Sequence, residues 1–135
     1  MIVACDGAAR GNPGPAGFGV HITDGHGETI AEIAEGIGVA TNNVAEYRAA
    51  IAGLARAREL GATRVLLRSD SKLLIEQLAG RFRVRNAGLK PLHAEARALM
   101  LAFDRVDLEH VPRERNREAD RLANVGVDRW LAGNA

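Results

Sequence analysis

Apolar residues in the first 39 positions recur in the patterns that β-strands produce. "MIVACD" is a short, continuous apolar run, whereas "FGVHITD" and "ETIAEIAEGIGV" alternate apolar and polar residues. The Gly- and Pro-rich stretches "GAARGNPGPAG" and "GHG" separate the three runs and have the composition of turns. The pattern therefore predicts an antiparallel meander of three strands over residues 1–39.

Helical and strand patterns then alternate along the chain. A helix is predicted over 43–60, where Val44, Tyr47, Ile51 and Leu54 recur at helical spacing and Gly61 follows. The remaining predicted elements are a strand over 63–69, helices over 70–80 and 89–103, a strand over 105–111 and a closing helix over 116–132. Since helices connect the fourth and fifth strands, these two strands should be parallel. We expect an α/β fold with a five-stranded mixed sheet, three antiparallel strands followed by two parallel ones, and helices on both faces.

Length and composition fit one soluble domain. The 135 residues are 47% hydrophobic and 26% charged, which is enough for one core and too little for two domains. We assign residues 1–131 to the domain and 132–135 to a C-terminal tail. No apolar run has the length of a membrane span. The single cysteine, Cys5, is expected to be a buried thiol in a reducing cytoplasm, and the protein is expected to be a cytoplasmic monomer.

Basic residues are clustered although the formal net charge is only +1. "GRFRVRNAGLK" and "PRERNREADR" hold most of the arginines of the second half of the chain, and the first of these stretches contains no acid. Such clusters are often solvated surface. Two of them on a nearly neutral chain also indicate a polyanionic partner.

Four acids stand where predicted elements begin or end: Asp6, Glu46, Asp70 and Asp120. Each has an ordinary structural explanation. Asp6 could belong to a turn, and Glu46 could form a capping box with Asn43. Asp70 could cap the helix that follows it, and Asp120 could complement a helix dipole.

The predicted topology brings these acids together. If the first and fourth strands are parallel neighbours, Asp6 and Asp70 lie at the same edge of the sheet. The first helix carries a face of small residues that allows Glu46 to approach that edge; these residues are Ala45, Ala49 and Gly53. Clustered carboxylates repel one another unless cations neutralise them. Hard oxygen ligands without a Cys or His cluster favour Mg²⁺ or Mn²⁺, and paired divalent ions are typical of phosphoryl chemistry.

Four blocks of the sequence, in this order, resemble the type 1 class of ribonuclease H over essentially the whole chain: "DGAARGNPGPAGFG", "TNNVAEYRA", "SDSKLLIEQL" and "RNREADRLAN". The resemblance implies a ribonuclease H-like fold and endonucleolytic cleavage of the RNA strand of an RNA–DNA hybrid, leaving 5′-phosphate and 3′-hydroxyl ends. It also implies that Asp6, Glu46, Asp70 and Asp120 are catalytic and hold two Mg²⁺ ions, for which Mn²⁺ could substitute. One ion would activate water, and the other would stabilise the leaving oxygen.

The resemblance also assigns residues to the substrate. Asn12, Asn42, Asn43 and the backbone near Gly7 match positions along the minor groove, where the 2′-hydroxyls of RNA are displayed. Asparagine both donates and accepts hydrogen bonds, as a hydroxyl does. In the family, residues matching Thr41 and Asn86 bind a phosphate of the DNA strand. Asn12, in "GNPG", could equally be a turn former.

Two features depart from the family pattern. Many relatives have a basic protrusion with several tryptophans where this chain has only "GRFRVRN", so Arg81, Arg83 and Arg85 would bind the DNA strand by charge alone. Many relatives also have a Gly- and His-rich loop before the last acid, and here that loop is short. We expect His110 to belong to the strand and Arg113 to take the place of the loop histidine.

Alternative readings remain open at this stage. The chain could be a non-catalytic module that binds RNA–DNA hybrids, although such a module would not need all four acids. "GIGVAT" resembles a dinucleotide-binding loop, but its sixth position is a threonine and the strand before it alternates. The sequence also leaves open whether double-stranded RNA is cut, which metal acts in the cell, and whether the chain is part of a longer fusion protein.

Overall fold

The computed structural model describes residues 1–133, and its elements follow the predicted order. They are β1 (Ile2–Ala9), β2 (Gly14–Thr23), β3 (Thr29–Ala40), α1 (Asn42–Glu59), β4 (Arg64–Ser69), α2 (Lys72–Leu78), α3 (Lys90–Met100), β5 (Arg105–His110), a 3₁₀ turn (Arg113–Arg115) and α4 (Arg117–Gly133). The helix α4 therefore includes the first two positions of the expected tail 132–135. The last two positions lie outside the described residues.

The sheet has the predicted mixed topology. Its strand order is β3-β2-β1-β4-β5, with β2 antiparallel to both β1 and β3. Strand β4 is parallel to β1, and β5 is parallel to β4. Cys5 of β1 is in register with Ser69 of β4. Asp6 and Asp70 directly follow this pair along the chain, so they lie at the same end of the sheet.

Helices cover both faces of the sheet, as predicted. Neighbouring residues of a strand point to opposite faces, and on β2 Gly19 meets the backbone of α4 whereas Val20 lies beside Gly53 of α1. Helix α3 packs on α1, on the same side of the sheet. The main core lies between α1 and the sheet, and its fully buried members include Val3, Cys5, Val20, Leu54 and Leu67.

Two predicted boundaries are wrong. The first turn is shorter than "GAARGNPGPAG" because β1 continues to Ala9 and β2 already begins at Gly14; the amide of Arg10 donates to the carbonyl of Pro15 at 2.8 Å and closes the turn. Helix α3 ends at Met100 rather than at 103. The amides after it bond to carbonyls three residues earlier, which tightens the chain into a turn.

Cys5 is a free, fully buried thiol, as predicted. No helix within residues 1–133 is both long and apolar enough to cross a membrane. The "GIGVAT" alternative is wrong, since its glycines lie within β3, which continues to Ala40, and no phosphate-binding loop leaves the strand there.

The close approach of α4 to β2 gives a prediction for Gly19. A Cβ at this position would overlap the carbonyl oxygen of Ala119 and the amide of Ala123, so we expect Gly19→Ala to lower the free energy of unfolding by about 1–3 kcal/mol. Chemical denaturation would measure this change. Gly25→Ala is the matched control, because nothing lies within 4 Å of a Cβ there; equal stability of the two variants would contradict the packing.

Candidate active site

The four predicted acids lie in one cavity of about 550 Å³ at the end of the sheet. Asp6 comes from β1, Glu46 from α1, Asp70 from the residue after β4, and Asp120 from the first turn of α4. Carboxylate oxygens of Asp6, Glu46 and Asp70 lie within 4.8 Å of one another, and Asp120 is hydrogen-bonded to Asp6. Four separate elements thus converge on one acidic centre.

Glu46 reaches the strand ends because α1 packs unusually close to β1. A Cβ on Gly7 would overlap the backbone of Ala45 and Glu46, so only glycine allows this separation of helix and strand. Ala45 and Ala49 are fully buried on the same helix face. The side chain of Glu46 is consequently enclosed, and the residue is only 4% exposed.

The ordinary structural explanations fail for three of the acids. The hydroxyl of Thr41 caps α1 by accepting from the amide of Val44 at 3.2 Å, so Glu46 forms no capping box. Ser71, not Asp70, caps α2. Asp6 lies inside β1, paired with Gly19 of β2, rather than in a turn. Asp120 does lie in the first turn of α4, where an acid also complements the helix dipole.

Burial and mutual repulsion dominate the electrostatics of the site. Loss of solvent first, and then the charges of Glu46 and Asp70, raise the pKa of Asp6 to about 10. Burial likewise raises the pKa of Glu46 to about 7, although hydrogen bonds from Asp6, from the Gly7 amide and from Ser69 act in the opposite direction. Without a cation, the folded protein therefore holds protons that isolated carboxyls would release.

The donor set fits a hard divalent cation. The Oε2 atom of Glu46 is buried and has no hydrogen-bond partner within residues 1–133, which is costly unless another group approaches it. Together with carboxylates of Asp6 and Asp70 it offers oxygen ligands at mutual distances suited to a shared ion.

Asn116 is a buried site residue that the sequence analysis missed. It is 2% exposed, and its Nδ2 donates to the carbonyl of Cys5 at 2.9 Å. This bond ties the beginning of α4, with Asp120, to the strand that carries Asp6. The sequence placed it only at the start of the predicted closing helix, in "RNREAD", and no local signal indicates the contact with Cys5.

The loop before α4 is arranged as expected. His110 is the last residue of β5, and its Nε2 lies 3.3 Å from the carbonyl oxygen of Asp70. Arg113 belongs to the 3₁₀ turn, and its Nη2 lies 3.4 Å from Oδ1 of Asp120. Both side chains line the acidic cavity. Their contribution to a reaction stays a prediction.

Some of the expected substrate residues line the cavity or adjoin it, and others lie outside its lining. Gly7 and Asn42 line the cavity, and Asn12 lies beside them, because its Oδ1 accepts from the amide of Asn42 at 3.0 Å. Asn43 is exposed on the first turn of α1. Asn86 is further away, in the loop between α2 and α3, where its Oδ1 accepts from the amide of Gly88 at 2.8 Å.

The basic segment, "GRFRVRN" at residues 80–86, contains no acid in its own sequence, but the fold brings one beside it. Arg81 forms two hydrogen bonds, of 2.6 and 2.9 Å, with Glu76 of α2, so its charge is partly compensated. Arg83 and Arg85 form no ion pair within residues 1–133 and are exposed. The expectation that Arg81, Arg83 and Arg85 bind the DNA strand stays a prediction, in which Arg81 would share its charge with an acid that α2 brings in from five positions earlier.

The strand order and the acidic cavity define the ribonuclease H-like class of α/β proteins. Comparison with known proteins agrees: the family described as "Reverse transcriptase-like" matches residues 4–126. The chain is 36% identical to a ribonuclease H of Halorhodospira halophila, over 94% of this chain and 92% of that protein. The chain belongs to the ribonuclease H family of nucleases.

Two further relatives are structurally close. The chain is 50% identical over 95% of its length to the bifunctional protein Rv2228c of Mycobacterium tuberculosis, but spans only 35% of that protein. The solved N-terminal RNase H domain of Rv2228c superposes with a TM-score of 0.91 at 48% identity, covering 93% of this chain and 97% of that one. LC11-RNase H1 in complex with an RNA/DNA hybrid also has a TM-score of 0.91, at 40% identity over 96% and 98% of the two chains.

The raised pKa values give a prediction for the metal-free protein. The pKa of Asp6 rises from its ordinary 3.8 to about 10, and that of Glu46 from 4.5 to about 7. At a pH between the ordinary and the raised pKa of either group, the folded state therefore binds more protons than the unfolded state. Stability should therefore fall as the pH rises through this window. In a chelator, we expect the melting temperature to drop between about pH 5 and pH 8, and Mg²⁺ to restore more of it at the higher pH.

Asp6→Asn should raise the metal-free melting temperature at the higher pH, because asparagine is neutral without the proton that the buried Asp6 carboxyl, with its pKa of about 10, must bind on folding. A gain of 1 kcal/mol corresponds to about 3–5 °C in a domain of this size. Differential scanning calorimetry is the measurement, with the exposed Asp104→Asn as the charge-matched control. A metal-free protein equally stable at both pH values would contradict the repulsion.

Proposed function

We propose that this chain is an endoribonuclease that hydrolyses the RNA strand of RNA–DNA hybrids and leaves 5′-phosphate and 3′-hydroxyl ends. The observation that carries the proposal is the convergence of four acids from distant elements on one cavity, where a buried oxygen of Glu46 lacks a hydrogen-bond partner among the described residues. A protein gains no stability from such an arrangement, so it is best explained by a bound cation.

Asp6, Glu46, Asp70 and Asp120 would hold two Mg²⁺ ions, or Mn²⁺ in their place. When bound, such ions supply an activated water and neutralise charge on the leaving oxygen of a phosphodiester. The protein keeps the ligands in position: Gly7 allows the approach of Glu46, Ser69 and the Gly7 amide bond to its carboxylate, and Asn116 anchors α4. Arg113, beside Asp120, would add positive charge next to the phosphate being cut.

The rim of the cavity suits an RNA strand. Asn42 lines the cavity and Asn12 is bonded to its backbone, so both amides are presented beside the acids. We assign Asn12, Asn42, Asn43 and the backbone of Gly7 to the 2′-hydroxyls of the minor groove. The hybrid complex of LC11-RNase H1, which shares the fold over nearly its whole length, supports this class of substrate.

The DNA strand would lie against α1 and the basic segment. Thr41 and Asn86 are assigned to one of its phosphates. Arg83 and Arg85 are exposed and unpaired within residues 1–133, so they are the side chains of the segment most available to phosphate, with Arg81 shared between substrate and Glu76. We further propose that the protein acts as a monomer in the cytoplasm.

A non-catalytic hybrid-binding module is the alternative function. Binding a polyanion requires basic and hydrogen-bonding groups, whereas a buried cluster of acids weakens it. The enclosed acids Asp6 and Glu46 therefore favour catalysis.

A nuclease assay with Mg²⁺ tests the proposed function. Wild type should cut an RNA–DNA hybrid and leave a DNA duplex intact, and a duplex RNA substrate would show whether that is also cut. Asp70→Asn should lower the rate of hybrid cleavage by at least about 100-fold, as expected for loss of a charge that stabilises a transition state. Asp104→Asn should be unaffected. Normal cleavage by Asp70→Asn would contradict the metal centre, whereas a wild type that binds the hybrid without cutting it would favour the binding module.

The loop before α4 gives a separate prediction. We expect Arg113→Ala to lower kcat about tenfold, with the same factor across neutral pH, because arginine keeps its charge throughout this range. Arg115→Ala is the matched control, since it removes a charge from the same 3₁₀ turn without lining the cavity. If Arg113→Ala turns over normally and His110→Ala is inactive, His110 has the role assigned here to Arg113.

A further inference from the structure

We propose that Arg10 is an additional substrate-binding residue, which contacts the RNA-strand phosphate next to the one being cut, on the side of Asn12 and Asn42. This inference rests on the proposed function, since it assigns a further contact to the same cavity. Arg10 lines that cavity together with Asn42 and the four acids.

The backbone of Arg10 is held in a rigid turn. Its amide donates to the carbonyl of Pro15 at 2.8 Å, and a Cβ on Gly14 would overlap the Arg10 carbonyl. The same turn is tied to α1, because Asn12 accepts from the amide of Asn42. The side chain of Arg10 therefore starts from a fixed point at the cavity rim, whether or not it forms contacts of its own.

The guanidinium group lies along the face of α4 that carries the fourth acid. Its Nη1 is 2.7 Å from Oδ1 of Asp128, and its Nη2 donates to Oδ1 of Asn124 at 3.4 Å. Asp120, Asn124 and Asp128 are spaced by four residues and share one side of the helix, and Nδ2 of Asn124 donates to the carbonyl of Asp120 at 3.0 Å. Four residues of helix span about 6 Å, comparable to the separation of adjacent phosphates in a polynucleotide.

The charge and exposure of Arg10 suit a phosphate contact. The side chain is 42% exposed and that of Asp128 is 65% exposed, and ion pairs this exposed contribute little to stability. A guanidinium has five N–H donors in a fork that fits a phosphate, and the two contacts above leave the others available. Arg113 also lines the cavity and provides a guanidinium beside Asp120, so the acids have two positive groups at the same cavity.

The competing explanation is that Arg10 only links the first turn to α4 and stabilises the fold. Matched variants distinguish this structural role from a phosphate contact. Arg10→Ala should raise KM for the hybrid about 3- to 10-fold, with kcat changed less than about twofold, as for loss of one phosphate contact. The slope of log affinity against log salt should fall by about one. Arg10→Lys should restore much of the affinity.

Two controls complete this experiment. Asp128→Ala breaks the ion pair but keeps the guanidinium, so it should retain the wild-type salt slope and a KM no higher than that of wild type. Arg56→Ala removes one exposed, ion-paired charge from the last turn of α1 and should change neither quantity. If Arg10→Ala and Asp128→Ala raise KM and lower the melting temperature equally, with the salt slope unchanged, Arg10 is only a structural tie and the proposal is wrong.

The position of the contact can be tested by neutralising single phosphates. Hybrids carrying one methylphosphonate in the RNA strand, at a deoxynucleotide on either side of the cut, would be titrated against Asp70→Asn protein with and without Arg10→Ala. Matched hybrids with the same deoxynucleotide and a normal phosphate are the reference. At one flanking position, neutralisation should weaken binding to Asp70→Asn alone but not weaken the double variant further. Additive losses at every position would overturn the proposal.

The outcomes also distinguish this proposal from the proposed function. If wild type does not cut the hybrid, the catalytic assignment fails, whereas the titration with methylphosphonate hybrids still tests the contact. If wild type cuts the hybrid and Arg10→Ala has the wild-type KM and salt slope, only the assignment of Arg10 fails.

Discussion

Repulsion between carboxylates held within 4.8 Å of one another in a largely buried cavity is the constraint on which the rest of the structure depends. The fold must supply enough packing energy to hold Asp6 and Glu46 together, since their burial raises both pKa values. It does so with close contacts of α1 and α4 against glycines of β1 and β2. Binding and stability are therefore linked: a cation that relieves the repulsion also stabilises the fold.

The topology explains why the site lies at this end of the sheet. Parallel pairing of β1 with β4 brings Asp6 and Asp70 together, while the antiparallel meander returns the chain so that α1 begins near the same edge. The rim then combines two kinds of group around the acids: neutral amides from Asn12 and Asn42, and the guanidinium groups of Arg10 and Arg113. Acids can hold cations, amides can read hydroxyls, and arginines can hold phosphate, so each part of a hybrid has a matching surface.

Much of this could be predicted from the sequence, for identifiable physical reasons. Strand alternation, helical spacing and the four blocks indicated the sheet order and the acidic cavity, because periodicity and parallel connections constrain topology strongly. The contacts of Asn116, Arg10 and Arg81 could not be predicted. Each joins residues through side chains whose direction depends on the packed fold: Asn116 reaches a carbonyl 111 residues away, Arg10 reaches α4, and Arg81 turns back to Glu76. Local pattern also left the caps of α1 and α2 open, since Thr41 and Ser71, which form them, have the same capping chemistry as Asn43 and Asp70 nearby.

The bond between Asn116 and the carbonyl of Cys5 has a consequence for how the molecule is made. It couples β1 to α4, so the acids that these two elements carry meet only after α4 has left the ribosome. Until α4 docks, a nascent chain can have its strands but lacks the complete cluster of acids. Vectorial synthesis thus delays assembly of the pocket until α4 has been made.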